Sequence, residues 1–229
     1  MNKISLIVIM VVFMMILIGC TQPKVDETQE QIAYLENYEI IGEEREDRIG
    51  YVPDQIFVEV DRSNEGATEF VISPSREQGE LFSLPEGRYI IFPEYAGNLF
   101  IRDETGEIIY QEFIGSFMGV AQVTFDIHEN YTIEVDQGVT FAYLNPVETV
   151  ISNELSAGMW RVGSDIAPGQ YELDEYFGYG YLQILKETGE HHVFELVSSI
   201  NSETTPLFDL ADGDVIIVSG ISLIPLKPL

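Results

Sequence analysis

Cysteine and basic side chains are scarce in this 229-residue sequence, and each shortage excludes something. With a single cysteine, Cys20, the folded part of the chain has no disulfide and must rely on an apolar core. The 11 Lys and Arg face 39 Asp and Glu, so the formal net charge is −28 at pH 7. Because polyanions are bound by clustered basic side chains, and no such cluster occurs here, nucleic acid is excluded as an expected partner.

Signatures of enzyme chemistry are also missing. The sequence has no Gly-x-Ser-x-Gly motif, and its three histidines, His128, His191 and His192, lie in ordinary strand contexts. His191 and His192 are neighbours on a predicted strand, so they point to opposite faces and cannot easily hold one metal ion together. We therefore predict no catalytic residue, no metal site and no cofactor.

Acidic residues are too numerous to indicate a site by themselves. A glycosidase needs two carboxylates about 5 to 10 Å apart, and with 39 acidic side chains such pairs occur on a surface by chance. Asp209, Asp212 and Asp214 surround a glycine turn and could suggest a calcium site. Their spacing is not that of an EF-hand loop, so a solvated acidic turn is favoured. A carboxylate-dependent enzyme, or enzyme accessory, acting on an extracellular polymer stays the alternative function.

One long apolar run is present, and it lies at the N-terminus. Residues 4–18 are uncharged and apolar apart from Ser5, with Lys3 before them and Gly19 and Cys20 after them. A membrane-spanning helix needs about 20 apolar residues, and this run is shorter. A charged start, a short apolar run and a small residue at its end are typical of a cleaved secretion signal.

The segment Leu17-Ile18-Gly19-Cys20 resembles the lipobox of bacterial lipoproteins at all four positions. The resemblance implies that residues 1–19 are a signal peptide, that a diacylglycerol is attached to the Cys20 sulfur, and that Cys20 becomes the acylated first residue. Two or three acyl chains, palmitate among them, anchor a protein stably. The expected location is extracytoplasmic, on the bacterial cell membrane, which the protein contacts through its N-terminal lipid.

Beyond the signal, the sequence predicts an acidic tether followed by an all-β region. Residues 20–50 are rich in Glu, Asp, Gln and Asn and are expected to be solvated, with one short helical face suggested by Ile32, Leu35 and Ile40. From Tyr51 onwards, short β-type runs alternate with turn residues every 8 to 12 positions or so. Turns such as Pro85-Glu86-Gly87 and Glu104-Thr105-Gly106 separate them.

An internal repeat divides the β region into two related parts. Leu99 to Glu107 and Leu182 to Glu190 are identical at six of nine positions, and each predicts a hairpin. Upstream, Leu84-Pro85-Glu86-Gly87-Arg88-Tyr89 aligns with Ile166-Ala167-Pro168-Gly169-Gln170-Tyr171, and downstream, Val135-Asp136-Gln137-Gly138 aligns with Leu210-Ala211-Asp212-Gly213. We expect two antiparallel, sandwich-like or barrel-like β modules, a divergent first one at 51–146 and a second at 147–229.

The second module carries the longer phrase Trp160-Arg161-Val162-Gly163-Ser164-Asp165-Ile166-Ala167-Pro168-Gly169-Gln170-Tyr171. This phrase resembles the Val-Gly-x-Asp-Ile-x-x-Gly-x-Tyr modules that occur in tandem in bacterial surface proteins and lipoproteins. The first module has Phe82-Ser83-Leu84 in place of the Val-Gly and Asp-Ile pairs. The resemblance implies a compact β module at the cell surface and no catalytic residues.

An aromatic stretch, Tyr176-Phe177-Gly178-Tyr179-Gly180-Tyr181, offers a possible binding site. Exposed rings stack on sugars or anchor protein partners, whereas alternating rings on a strand are more often partly buried. Tyr176 and Tyr179 are the predicted binding residues. The leading functional hypothesis is a non-catalytic lipoprotein that binds an envelope protein or glycan.

Overall fold

In this computed structural model, the residues described are 39–73, 81–136, 138–197 and 205–229. The signal peptide, Cys20 and residues 21–38 of the predicted tether lie outside them. The described residues form one α-helix, α1 (Glu43–Ile49), a 3₁₀ helix (Asp54–Phe57) and 13 strands. The strands are β1 (Phe70–Ile72), β2 (Gly87–Pro93), β3 (Gly97–Arg102), β4 (Ile108–Ile114), β5 (Val123–Ile127), β6 (Thr132–Val135), β7 (Ala142–Pro146), β8 (Glu154–Arg161), β9 (Gly169–Leu173), β10 (Tyr179–Leu185), β11 (His191–Val197), β12 (Leu207–Leu210) and β13 (Val215–Pro228).

The all-β prediction is confirmed. One sheet runs in the order β1-β7-β2-β5-β8-β13-β10-β11, with β9 and β12 attached through β13, and a three-stranded sheet runs β4-β3-β6. Neighbouring strands are antiparallel except β5 and β8, which pair in parallel. In the part of the chain that the structure describes, no helix has the length and apolar character needed to cross a membrane.

The first repeated block has the same geometry in both copies. Strands β2 and β9 begin at Gly87 and Gly169, and the tyrosine two residues later is buried in each. The Tyr89 hydroxyl donates to the carbonyl of Pro85 (2.9 Å), and the Tyr171 hydroxyl donates to the carbonyl of Ala167 (2.8 Å). In both copies, therefore, the tyrosine hydroxyl of the Gly-x-Tyr phrase fixes the turn before the strand by donating a hydrogen bond to the backbone carbonyl four residues earlier.

The second repeated block forms the predicted hairpins, β3–β4 and β10–β11. Each turn has its glycine in the left-handed region, where a side chain is disfavoured, at φ 88° for Gly106 and 90° for Gly189. The Gly106 N–H donates to the carbonyl of Asp103 (3.1 Å), and the Gly189 N–H donates to that of Lys186 (2.9 Å). The Glu-Thr-Gly-Glu phrase therefore encodes one turn type twice.

The alignment of the third block is corrected by the sheet registers. Tyr89 pairs with Phe125 of β5, and the equivalent Tyr171 pairs with Phe208 of β12. The counterpart of β12 is therefore β5, and Leu210 corresponds to Ile127 rather than to Val135. The error arose because β5 and β6 both show period-two alternation, and alternation does not specify which strand is the partner. Gln137 of the predicted block lies outside the described residues.

The two copies share their packing. The first core cluster, formed mainly by residues between 56 and 144, also takes in side chains of the second copy: Ala157, Met159, Leu185, Val215 and Ile217. The parallel pairing of Val123 with Ala157 and of Thr124 with Gly158 joins the copies through their backbones. The second core cluster lies within the second copy, from Leu155 to Leu226.

Residues 39–50, predicted as the end of the solvated tether, are packed against β11. The Ile40 side chain is 1% exposed, and its N–H donates to the carbonyl of Val193 (2.7 Å). Glu39 forms an antiparallel bridge with Phe194, and the Arg45 guanidinium donates to the carbonyl of His191 (2.8 Å). The apolar Ile40 can be buried here because β11 offers an unpaired edge, which the tether prediction did not consider.

Candidate functional site

A cleft of about 410 Å³ lies between the two copies. One wall is β4, from Ile108 to Gln111, and the other is formed by Tyr181 and Gln183 of β10 with Ile217 and Ser219 of β13. Residues 48–52, which follow the end of α1, form its roof. We call this space the inter-copy cleft. Its volume is within the range of about 300 to 1,000 Å³ that is usual for ligand sites.

A second groove of about 490 Å³ lies on the other side of the same roof. It is lined by Arg45 and Glu46 of α1, by Gly50, Tyr51 and Val52, and by the β10–β11 turn. Tyr51 borders both grooves and is 78% exposed. An exposed ring at the mouth of both spaces is suited to stacking on a ligand.

A network of hydroxyl and charged groups borders the inter-copy cleft. The Tyr179 hydroxyl donates to Glu195 Oε1 (2.5 Å) and lies 2.9 Å from the Tyr181 hydroxyl. Arg48 Nη1 lies 3.5 Å from the Tyr181 hydroxyl and 3.6 Å from Glu195 Oε1. The hydrogen bond to Glu195 raises the pKa of Tyr179 above its usual value, so the ring stays neutral and serves as a hydrogen-bonding surface.

The structure separates the two tyrosines that the sequence proposed as binding residues. Tyr179 is 50% exposed and stands at the margin of the cleft. Tyr176 is 8% exposed, belongs to the second core cluster, and donates its hydroxyl to the carbonyl of Val197 (3.3 Å). Its ring is therefore part of the packed interior. The ring exposed beside it is Phe177, at 71%.

A buried acid next to the cleft residue Gln111 joins strands β4 and β13. Glu112 accepts hydrogen bonds from the backbone N–H groups of Phe113 and Gly220, both at 2.9 Å. The Tyr110 hydroxyl is 3.4 Å from Glu112 and 3.3 Å from the carbonyl of Val218. Burial raises the pKa of Glu112 and raises that of Tyr110 well above its usual value. These contacts hold β4 and β13 at a fixed separation.

The histidine pair lies beside this site. His191 Nε2 is 3.0 Å from Gln183 Oε1, whereas His192 Nδ1 is 2.8 Å from Glu39 Oε1. Burial, together with the positive charge of Arg45 and of His192, lowers the pKa of His191 to about 4. The two rings therefore have separate polar partners. No group of three or more His, Cys, Asp or Glu able to hold a metal occurs among the described residues.

The acidic glycine turn has an internal counter-ion. Lys186 Nζ lies 2.7 Å from Asp214 Oδ2 and also donates to the carbonyl of Asp209. Asp214, 3% exposed, accepts a further bond from the Ala211 N–H (2.8 Å). Of the three aspartates of this turn, Asp214 is the one whose carboxylate pairs with the Lys186 ammonium, and Asp209 contributes its backbone carbonyl.

The aspartate of the Val-Gly-x-Asp-Ile phrase also has a structural role. Asp165, 1% exposed, accepts from the Arg161 N–H (2.7 Å) and from Arg62 Nη1 (3.0 Å). Arg88, also 1% exposed, lies 3.2 Å from Asp165 and donates to Asp126 (2.9 Å). The Arg88 guanidinium stacks 4.8 Å above the Trp160 ring. This buried ion network connects the motif of the second copy to the first copy.

Sequence reasoning missed most of the residues that form the cleft. Gln111 and Ser219 lie in no motif, Gln183 occupies a variable position of the repeated hairpin block, and Arg48 lies in a segment predicted to be solvated. The one available signal was Tyr181, the last ring of the aromatic stretch. No family model matches the chain, and no curated protein or solved structure shows significant similarity to it.

Proposed function

We propose that this protein is a lipid-anchored extracytoplasmic binding protein whose inter-copy cleft takes up an envelope component or a segment of a partner protein. The proposal treats the domain as non-catalytic. The main support for binding is the lining of the cleft. Hydroxyl and amide groups of Tyr181, Gln183 and Ser219 lie there together with the exposed ring of Tyr51. Neutral polar groups beside exposed rings are suited to recognition of a polar ligand.

The state of three buried carboxylates favours binding over acid–base chemistry. Glu112 accepts two backbone N–H groups, and Asp165 and Asp214 pair with cationic side chains. A general acid or base must reach the proton that it transfers, and these groups are directed to partners inside the protein. We therefore assign these three acids a structural role and assign ligand recognition to the residues that line the cleft.

The membrane anchor in this proposal rests on the lipobox and on Cys20. A Cys20→Ala variant is expected to lose the lipid, so that no acylated peptide is found, while its uncleaved apolar residues 4–18 can keep it on the membrane. Mass spectrometry of the purified wild-type chain checks the same point, since an acylated Cys20 peptide is the expected N-terminus. An unmodified Cys20 would contradict the anchor and leave the cleft unaffected.

The binding proposal is tested with the full chain, tagged at its C-terminus and solubilised in detergent. The chain is immobilised and presented to purified cell wall and to solubilised envelope extract. We expect one component to be retained by the wild type and about tenfold less by Tyr181→Ala, which removes a hydroxyl and ring from the cleft wall. Tyr143→Ala is the matched control, because Tyr143 is 38% exposed and lies on β7, outside the cleft lining.

Thermal melts of both variants distinguish loss of a site from loss of the fold. Tyr181→Ala is expected to melt within a few degrees of the wild type, because the ring is partly exposed at the cleft wall and belongs to neither core cluster. Equal retention by the wild type and by Tyr181→Ala would mean that the binding site lies elsewhere on the protein. No retention of any component by the folded wild type would contradict the binding function itself.

A further inference from the structure

Strands β4 and β11 are the second strands of the two repeated hairpins, and they differ in what covers their outer edges. Ile101 and Ile184 are equivalent residues of the repeat, and they pair with Tyr110 of β4 and His192 of β11. The next residues, Gln111 and Val193, are therefore equivalent as well. In the second copy, Val193 has an outside partner, because its carbonyl accepts the Ile40 N–H (2.7 Å).

In the first copy the equivalent position faces the inter-copy cleft. Strand β4 pairs only with β3 among the described strands. In the same part of the chain, no hydrogen bond reaches Gln111 from outside its own sheet. Gln111 instead lines the cleft and is exposed. Its N–H and carbonyl are the backbone groups that an additional strand would use.

The open edge is short and is closed at its far end. Phe113, the next residue of β4 with the same orientation as Gln111, donates its N–H to Glu112 Oε1 (2.9 Å), and its carbonyl accepts the Val120 N–H (3.0 Å). Pairing is therefore confined to the part of β4 near Gln111. The open edge of β4 is similar in length to the covered edge of β11, because Glu39 and Ile40 also pair with β11 over only a short stretch.

We propose that the edge of β4 at Gln111 is the docking position for an extended segment of a partner protein, which adds to β4 as Glu39 and Ile40 add to β11. This inference rests on the proposed binding function and names its ligand class as a polypeptide strand. Backbone hydrogen bonds supply affinity in such complexes, and pockets for alternate side chains supply specificity.

The surroundings of Gln111 define the side chains that the segment carries. Apolar groups line one part of the cleft, among them Ile49, Val52 and Ile217, so the strand presents an aliphatic side chain there. Elsewhere the cleft is lined by Tyr181, Gln183 and Ser219, whose hydroxyl and amide groups suit polar, uncharged side chains at the alternate positions of the segment. Because the formal net charge of the chain is −28, a neutral or basic segment is favoured over an acidic one.

The test compares Gln111→Pro with Gln111→Ala in the full chain. Both variants remove the Gln111 side chain, but only proline removes the outward N–H. Proline is tolerated on an edge strand where its nitrogen faces away from the ladder. The probe is a displayed library of 12-residue peptides, panned against the wild-type chain, and the enriched peptides are then measured for affinity against all three proteins.

Strand addition predicts that the enriched peptides bind Gln111→Ala about as well as wild type and bind Gln111→Pro about tenfold more weakly, because one backbone hydrogen bond is lost. Peptides N-methylated at single backbone positions provide a second measurement on the wild-type chain alone, which stays informative if Gln111→Pro fails to fold. Strand addition predicts that methylation weakens binding at alternate positions only.

Three outcomes overturn the inference. Enriched peptides that bind Gln111→Pro as well as wild type, or that are insensitive to N-methylation, would exclude pairing with β4. A concentration-dependent dimer that Gln111→Pro dissolves would make a second copy of this chain the occupant. Retention of an envelope glycan without dependence on Gln111 would overturn strand addition while leaving the proposed binding function intact.

Discussion

His191 is a residue whose surroundings favour its neutral form. Burial is the main cause of its low pKa, about 4, and the positive charge of Arg45 and of His192 adds to it. A histidine in an unfolded chain titrates near 6.5. As the pH falls from about 6.5 towards 4, the unfolded chain therefore gains a proton that the folded chain does not bind. Stability that is present above pH 6.5 is lost over that interval.

We expect the substitution His191→Asn to remove this part of the pH dependence. Between pH 7 and pH 4.5, the free energy of unfolding of the wild type should fall by about 1 kcal/mol more than that of the variant, after allowance for the partial exposure of the ring. Urea unfolding at the two pH values measures the difference. Because both proteins contain the same carboxylates, their acid titration cancels in the comparison. Parallel profiles would show that His191 does not titrate differently on folding.

The tyrosines illustrate which part of the site could be predicted from single residues. The aromatic stretch did indicate the strand that borders the cleft, since Tyr179 and Tyr181 lie at its margin and wall. It could not indicate which rings are buried, because the faces of β10 are decided by what packs on each side. Tyr176 is enclosed by the second core cluster, which is assembled from strands distant in sequence.

At the scale of elements, the parallel pairing of β5 with β8 is the joint between the copies. Gly158 sits in this joint with φ 138°, and a Cβ added there would lie 1.9 Å from the carbonyl oxygen of Thr124. The atom that it meets belongs to the backbone of the paired strand and cannot move aside without breaking the pairing. We expect Gly158→Ala to lower the free energy of unfolding by about 3 kcal/mol or more, from overpacking and backbone strain together.

Gly189→Ala is the control for this element. Gly189 also has a left-handed φ, 90°, but nothing lies within 4 Å of its added Cβ. Its cost is limited to backbone strain, about 1 to 2 kcal/mol. Denaturant unfolding of both variants separates the two contributions. Equal losses for Gly158→Ala and Gly189→Ala would mean that the β5–β8 joint tolerates separation and contributes little to the fold.

Local elements were predictable from the sequence, and the connections between elements were not. The hairpin turns at Gly106 and Gly189 follow from turn chemistry within a few residues, so the repeated phrase specified them correctly. The equivalence of β5 with β12 depends on which strand pairs with β2 and with β9, which is a long-range choice. The docking of Ile40 on β11 is equally non-local, since more than 150 residues separate it from Val193.

At the scale of the whole molecule, the two copies are packed as one compact structure. The described residues of both copies fall in one compact unit, and the first core cluster takes side chains from both. Arg88 and Asp165, each 1% exposed, pair across the copies at 3.2 Å. Separating the copies would leave both charges without this partner, and an unpaired buried charge costs about 3 to 5 kcal/mol.

Neither half is therefore expected to fold alone. Residues 51–146 and 147–229, produced as separate fragments, should lack a cooperative thermal transition, because each loses the parallel pairing, part of a shared core and one side of the ion network. The full chain should unfold in a single transition that is the same by circular dichroism and by the fluorescence of Trp160, its only tryptophan. Trp160 reports on the joint directly, since the Arg88 guanidinium lies against its ring. A sharp melt of either fragment, or separate transitions by the two probes, would mean that the copies are independent modules and that the inter-copy cleft depends on their docking rather than on a common core.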